Sequence, residues 1–161
     1  MDTSIEFLAC GADVMQLKAF RRALDVGSKR YLERVFTLQE RTYCAGDLSR
    51  LAARLAVKEA VAKALGTGLR GVGWQEIEIV SEASGRPQLV LHGRALRKAQ
   101  TLGLLEWRVS LSCCELFALA FVVATGPGSG KGTATEEVNS QDMALIFEGC
   151  ITQRGDLASE V

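Results

Sequence analysis

A chain of 161 residues has the length of one domain. Apolar residues make up 48% of it, enough to bury a core, and its 19 basic residues balance its 19 acidic ones. That balance excludes a global attraction to nucleic acid or to anionic membrane. No apolar run approaches the roughly 18–20 residues of a membrane span, and Met1-Asp2 opens no basic-then-apolar secretory leader. The five cysteines, Cys10, Cys44, Cys113, Cys114 and Cys150, form no CxxC pair. An odd count without metal spacing fits reduced thiols and a cytoplasmic location.

In chain order, Ile5 to Val14 reads as a short buried strand, with Gly11 where backbone comes close or turns. Leu17 to Leu24 is helical, Tyr31 to Phe36 continues apolar, and Thr37 to Glu40 has capping-box spacing. The clearest helix runs from an Asp47 N-cap to Leu65, with Gly66 in the C′ position. Gly68, Gly71 and Gly73 predict a loop. Strands follow at Glu76–Val80 and Gln88–Leu91 around the turn Ser84-Gly85-Arg86-Pro87. A helix at Gly93–Leu102 and strands at Trp107–Leu111 and Phe117–Ala124 complete an α+β pattern without βαβ alternation. After Thr125 the sequence becomes small and polar. The expected division is a domain over residues 1–125 and a flexible linker and tail over 126–161.

The helix around residues 50–68 carries the chemistry. Arg50, Arg54 and Lys58 recur every four residues, predicting a cationic stripe along one side. Glu59 and Lys63 form a further i, i+4 pair, which could be an exposed salt bridge. Glu59 also shares the side of Ala52, Leu55 and Ala56, where a buried carboxylate needs a partner. Asp13, at the end of an apolar strand, could join Glu59 around a hard divalent cation. Mg²⁺ uses one or two carboxylates and takes its other ligands from water and phosphate.

Five blocks occur in a fixed order: GADV (11–14), RVFTLQE (34–40), RLAVKEAVAKALGTGL (54–69), GRP (85–87) and WRVSLS (107–112). Together they resemble the holo-acyl-carrier-protein synthase family of 4′-phosphopantetheinyl transferases, over roughly residues 5–124. KEA followed by KALGTG is the most specific part. The resemblance implies a compact α+β unit with an antiparallel sheet and one long central helix, forming a homotrimer with active sites between subunits. It implies transfer of the 4′-phosphopantetheine arm of coenzyme A to a serine of an apo-acyl-carrier protein, releasing adenosine 3′,5′-bisphosphate. By position, Asp13 and Glu59 would hold Mg²⁺ and Lys63 would contact the transferred phosphate or stabilise the leaving group. Arg50, Arg54 and Lys58 would meet coenzyme A phosphates. Gly66-Thr67-Gly68 and Gly85-Arg86-Pro87 would shape the nucleotide pocket, with Ser110 and Ser112 on a strand nearby. Glu59 is the candidate base for the serine proton.

The chain departs from the family at Cys113, where Ser-His is usual and Ser112-Cys113 stands here. A second reading is therefore a non-catalytic protein of the same fold that binds a carrier protein or synthase. His92, the only histidine, reads as structural, having no acidic partner nearby in sequence. GPGSGKGT at 126–133 fails as a P-loop: three residues, not four, separate Gly126 from Gly130, and Gly132 follows Lys131. Residues 16–41 hold seven basic and three acidic side chains, a local excess of four suited to an acidic carrier protein.

Overall fold

The computed structural model describes residues 7–127, with backbone alone for 26–29. Its elements are β1 (Phe7–Gln16), α1 (Leu17–Val35), α2 (Leu38–Cys44), α3 (Leu48–Ala64), α4 (Gly68–Gly71), β2 (Ile77–Ser81), β3 (Pro87–Leu91), α5 (Gly93–Leu102), β4 (Glu106–Cys113) and β5 (Phe117–Gly126). The strands form two antiparallel sheets: a three-stranded one ordered β1-β5-β4 and the β2-β3 hairpin. The α+β expectation and the antiparallel pairing hold, with two sheets where one was expected.

Helix α3 is the most buried element, and its alanines explain why. Ala52, Ala53, Ala56, Ala60, Ala62 and Ala64 are all buried. Alanine favours helix and has no bulk to hold a sheet away. Opposite it, β5 turns Ala118, Ala120, Val122 and Ala124 inward. At the β1 crossing the approach becomes backbone to backbone: a Cβ on Gly11 would lie 2.0 Å from the Ala60 carbonyl oxygen. Only glycine fits there. One core cluster joins Val57, Val61, Ile77, Ile79 and Val122; a second joins Phe20, Val35, Phe36, Leu51 and Leu55. Helix α3 contributes to both.

Several boundaries move. The two apolar stretches between Leu17 and Phe36 are one helix of 19 residues, so α1 is longer than the 17-residue α3. The glycine-rich stretch after α3 is not all loop. Gly68 enters with φ 54 and begins the single turn α4, followed by a 3₁₀ turn at Trp74–Glu76. The caps are as read: Asp47 Oδ1 accepts from the Arg50 N–H at 3.0 Å, and Thr37 and Glu40 form the reciprocal box. Gly66, at φ 66, donates to Lys63 O at 2.9 Å while Thr67 N–H reaches Ala62 O at 3.1 Å. That pair of bonds is a Schellman ending, which stops α3 directly after Lys63 and Ala64. Residues 128–161 lie outside the described residues, and with them nearly all of the expected linker and tail.

The outer face of the three-stranded sheet is apolar. Leu8 and Val14 of β1 are 56% and 54% exposed, and Leu119 and Phe121 of β5 are 48% and 47% exposed. Register places Val14, Leu119 and Ser112 in one row and Ala12, Phe121 and Ser110 in the next.

Candidate active site

Strand β1 meets α3 where Gly11 touches Ala60, and two residues further on Asp13 points to the same face of the sheet. There it meets Lys63. The Lys63 ammonium donates to Asp13 Oδ1 at 2.8 Å and to the Ala12 carbonyl at 2.9 Å. Glu59 lies one turn earlier on α3, half-buried, with no hydrogen bond or ion pair among the described residues. Burial, and then the Asp13 charge, push its carboxyl above the usual range against the pull of Lys63. The cluster holds two carboxylates and one ammonium, a surplus of negative charge at a partly dry spot.

That surplus fits a hard cation. Two carboxylates, one of them without a partner, match the protein share of a Mg²⁺ site whose other ligands are water and phosphate oxygen. No group of three or more His, Cys, Asp and Glu side chains suits a fully protein-ligated metal among the described residues.

The predicted cationic stripe is not a surface. Lys58 is wholly buried, its ammonium 2.9 Å from Glu40 Oε2, 2.9 Å from Trp74 O and also bonded to Ile77 O. Those three bonds use all its donors, so Lys58 has none left for a phosphate. Burial lowers its pKa, and the Glu40 charge opposes that shift. Glu40 accepts as well from the N–H groups of Thr37 and Ile79, at 2.9 and 3.1 Å. From sequence Glu40 reads as a cap and a surface charge, not as the partner of Lys58. Arg54, 4% exposed, donates to Ser81 Oγ at 2.8 Å and lies 4.3 Å from the Tyr43 ring centroid. Arg50 remains on the surface beside Asp47, at 3.6 Å.

Ser110 and Ser112 do not join Glu59 in this chain. Val109 and Leu111 of β4 pack against the core, so the intervening serines face the outer side of the sheet. Cys113 has the opposite parity. It pairs with Ala118, the partner of Met15, and so lies on the Asp13 side, exposed at the end of β4. Gly85-Arg86-Pro87 forms the exposed tip of the β2-β3 hairpin, with Gly85 at φ 83. His92 has an acidic partner after all: its Nε2 is 2.9 Å from Glu78 Oε2. Glu78 sits on the neighbouring strand, fourteen residues away in sequence.

The profile of the 4′-phosphopantetheinyl transferase superfamily matches residues 9–122, from within β1 to the middle of β5. The chain belongs to this superfamily. Among individual superfamily members it is similar to the holo-[acyl-carrier-protein] synthase of Herpetosiphon aurantiacus, 41% identical over 126 residues, covering 74% of this chain and 99% of that one. It is similar also to that of Solidesulfovibrio magneticus, 45% identical over 118 residues, covering 72% and 96%. Among solved transferase structures, that of Neisseria meningitidis holo-[acyl-carrier-protein] synthase aligns with TM-score 0.65 at 37% identity, covering 72% of this chain and 96% of that one. A coenzyme A complex from Chronobacterium ammoniagenes aligns with TM-score 0.67 at 27% identity, covering 75% and 98%.

Proposed function

We propose that the chain transfers the 4′-phosphopantetheine arm of coenzyme A to a serine of an apo-acyl-carrier protein. The serine oxygen bonds to the phosphorus that carries the arm, and the bond from that phosphorus to the nucleotide oxygen breaks. The products are the holo-carrier protein, adenosine 3′,5′-bisphosphate and a proton. The observation that carries this reading is the Asp13–Glu59–Lys63 cluster at the crossing of β1 and α3. Glu59, the one carboxylate of the cluster without a hydrogen bond or ion pair among the described residues, accepts the serine proton. Two of the three Lys63 donors are engaged by Asp13 and Ala12. The third is left to steady a phosphate oxygen as charge shifts towards the leaving group. Asp13 and Glu59 would hold Mg²⁺, which when bound neutralises diphosphate charge.

Supporting features extend the reading to partners. Exposed Lys18, Arg21, Arg22, Arg30 and Arg34 give α1 a basic surface for an acidic carrier protein of fatty-acid or polyketide synthesis. Glu40, counted against that excess from sequence, is buried on Lys58 and does not dilute it. The apolar outer face of the sheet suits burial in a homotrimer. In such an assembly Ser110 and Ser112 could complete a neighbour's nucleotide pocket, alongside Gly66-Thr67-Gly68 and the Gly85-Arg86-Pro87 turn. Four described cysteines carry free thiols, as a cytoplasmic protein would keep them.

Cys113 favours the second reading, a non-catalytic binding protein, because a neutral thiol is a weak donor where the family carries histidine. Mass spectrometry of an apo-carrier protein incubated with this protein, coenzyme A and Mg²⁺ separates the two. Gain of the phosphopantetheine arm establishes the transferase. Coenzyme A binding with no gain establishes the binding protein.

A further inference from the structure

We propose that Tyr43 and Ser81 are positioning residues for Arg54, holding its guanidinium in place to grip a phosphate of coenzyme A; the inference rests on the transferase reading. Three cations lie along this part of α3, and two are already matched. Lys58 is held by Glu40 at 2.9 Å and Arg50 by Asp47 at 3.6 Å. Arg54 has no carboxylate within ion-pairing distance among the described residues, yet it is 4% exposed. Its Nε–H is buried without an acceptor, and one terminal nitrogen reaches only the Arg50 carbonyl, at 3.5 Å.

A buried cation without an anion is costly unless something else stabilises it. Here two neutral groups do. The Tyr43 ring lies 4.3 Å from the guanidinium carbon of Arg54 and 5.7 Å from that of Arg50. A ring face attracts a cation and covers one side of the planar group without consuming its N–H donors. Ser81 Oγ accepts from Arg54 at 2.8 Å. The three residues come from α2, α3 and β2, so the contact fixes the guanidinium across three elements. The negative charge missing from this arrangement is what a phosphate supplies, bound by a fork whose orientation is already set.

Steady-state kinetics of the full chain with coenzyme A and apo-carrier protein test this. Tyr43→Leu should raise the KM for coenzyme A about tenfold while changing kcat less than about twofold, the loss expected for one desolvated cation–π contact. Tyr43→Phe, which keeps the ring, should retain most of the wild-type KM. Ser81→Ala should raise KM in the same direction and carries the test if Tyr43→Leu folds poorly. Arg54→Met combined with Tyr43→Leu should be no worse than Arg54→Met alone, because a positioning residue has no effect once its target is gone. If Arg54→Met raises KM but Tyr43→Leu and Ser81→Ala do not, or if the double variant is additive, the positioning role is overturned and the transferase reading stands. If Arg54→Met itself leaves KM unchanged in an active enzyme, Arg54 holds no phosphate and the inference fails at its root. If no variant and no parent transfers the arm, the transferase reading has failed first.

Discussion

At the scale of single residues, two adjacent charged groups on α3, Lys58 and Glu59, behave in opposite ways. Burial and the Asp13 charge resist the ionisation of Glu59. Its folded pKa lies above the unfolded value, so its protonation favours the folded chain and its charge opposes it. Glu59→Gln should therefore abolish arm transfer yet raise the melting temperature at neutral pH by a few degrees, roughly what a fraction of a kcal/mol gives in a domain of this size. That gain should shrink as pH falls through the folded pKa, where the parent is protonated too. Scanning calorimetry in metal-free buffer reads it, and a lower melting temperature at pH 7 would refute the electrostatic account. Lys58 is the converse case. Lys58→Met leaves Glu40 buried without its cation and should cost about 3–5 kcal/mol in denaturant unfolding. A loss below about 1 kcal/mol would mean that the Thr37 and Ile79 N–H groups suffice for Glu40.

At the scale of elements, the hairpin β2-β3 is tied to the rest through Glu78. Burial would raise the Glu78 pKa, but the Thr37 hydroxyl at 2.6 Å and His92 at 2.9 Å outweigh it and hold the carboxyl below its ordinary value of 4.5. A depressed carboxylate gives stability that is complete above the unfolded pKa and lost as pH falls through the folded one. Urea unfolding at pH 3 and pH 6 should show a smaller acid loss for Glu78→Gln than for the parent; equal losses would place the acid sensitivity elsewhere. Helix α1 carries a separate expectation. Arg21 and Arg22, both exposed, replaced together by Glu should raise the KM for carrier protein roughly tenfold, with little change for coenzyme A. An equal rise for both substrates would assign α1 to the nucleotide side.

These elements were unevenly legible in the sequence. The caps of α2 and α3, the hairpin and the sheet strands were readable because each depends on residues within a few positions of one another. The specific KEA–KALGTG block marked Glu59 and Lys63, and strand placement marked Asp13. The errors came from partners distant in sequence. Nothing near Lys58 announces that Glu40, a cap eighteen residues earlier, neutralises it, so helical spacing alone read a buried cation as surface. The Glu78–His92 pair was hidden for the same reason, because it forms only once β2 lies beside β3. The serines of β4 were legible as strand residues. Which face met α3 depended on sheet packing that no local pattern encodes.

For the whole molecule, the exposed Phe121, Leu119, Leu8 and Val14 make the outer sheet face the surface to test for assembly. Phe121→Asp should shift the protein to monomer in sedimentation equilibrium at micromolar concentration while leaving the fold intact, since the side chain points away from α3. A parent that is already monomeric would remove the trimer from the proposal. The crossing of Gly11 over Ala60 has a consequence for how such a protein can change over time. Where two backbones touch, the separation of strand and helix is set by atoms that no substitution elsewhere can resize. The spacing between Asp13 and Lys63 is thus insulated from drift in the surrounding side chains. Aliphatic residues of the core can then be exchanged without resizing the backbone separation at this crossing.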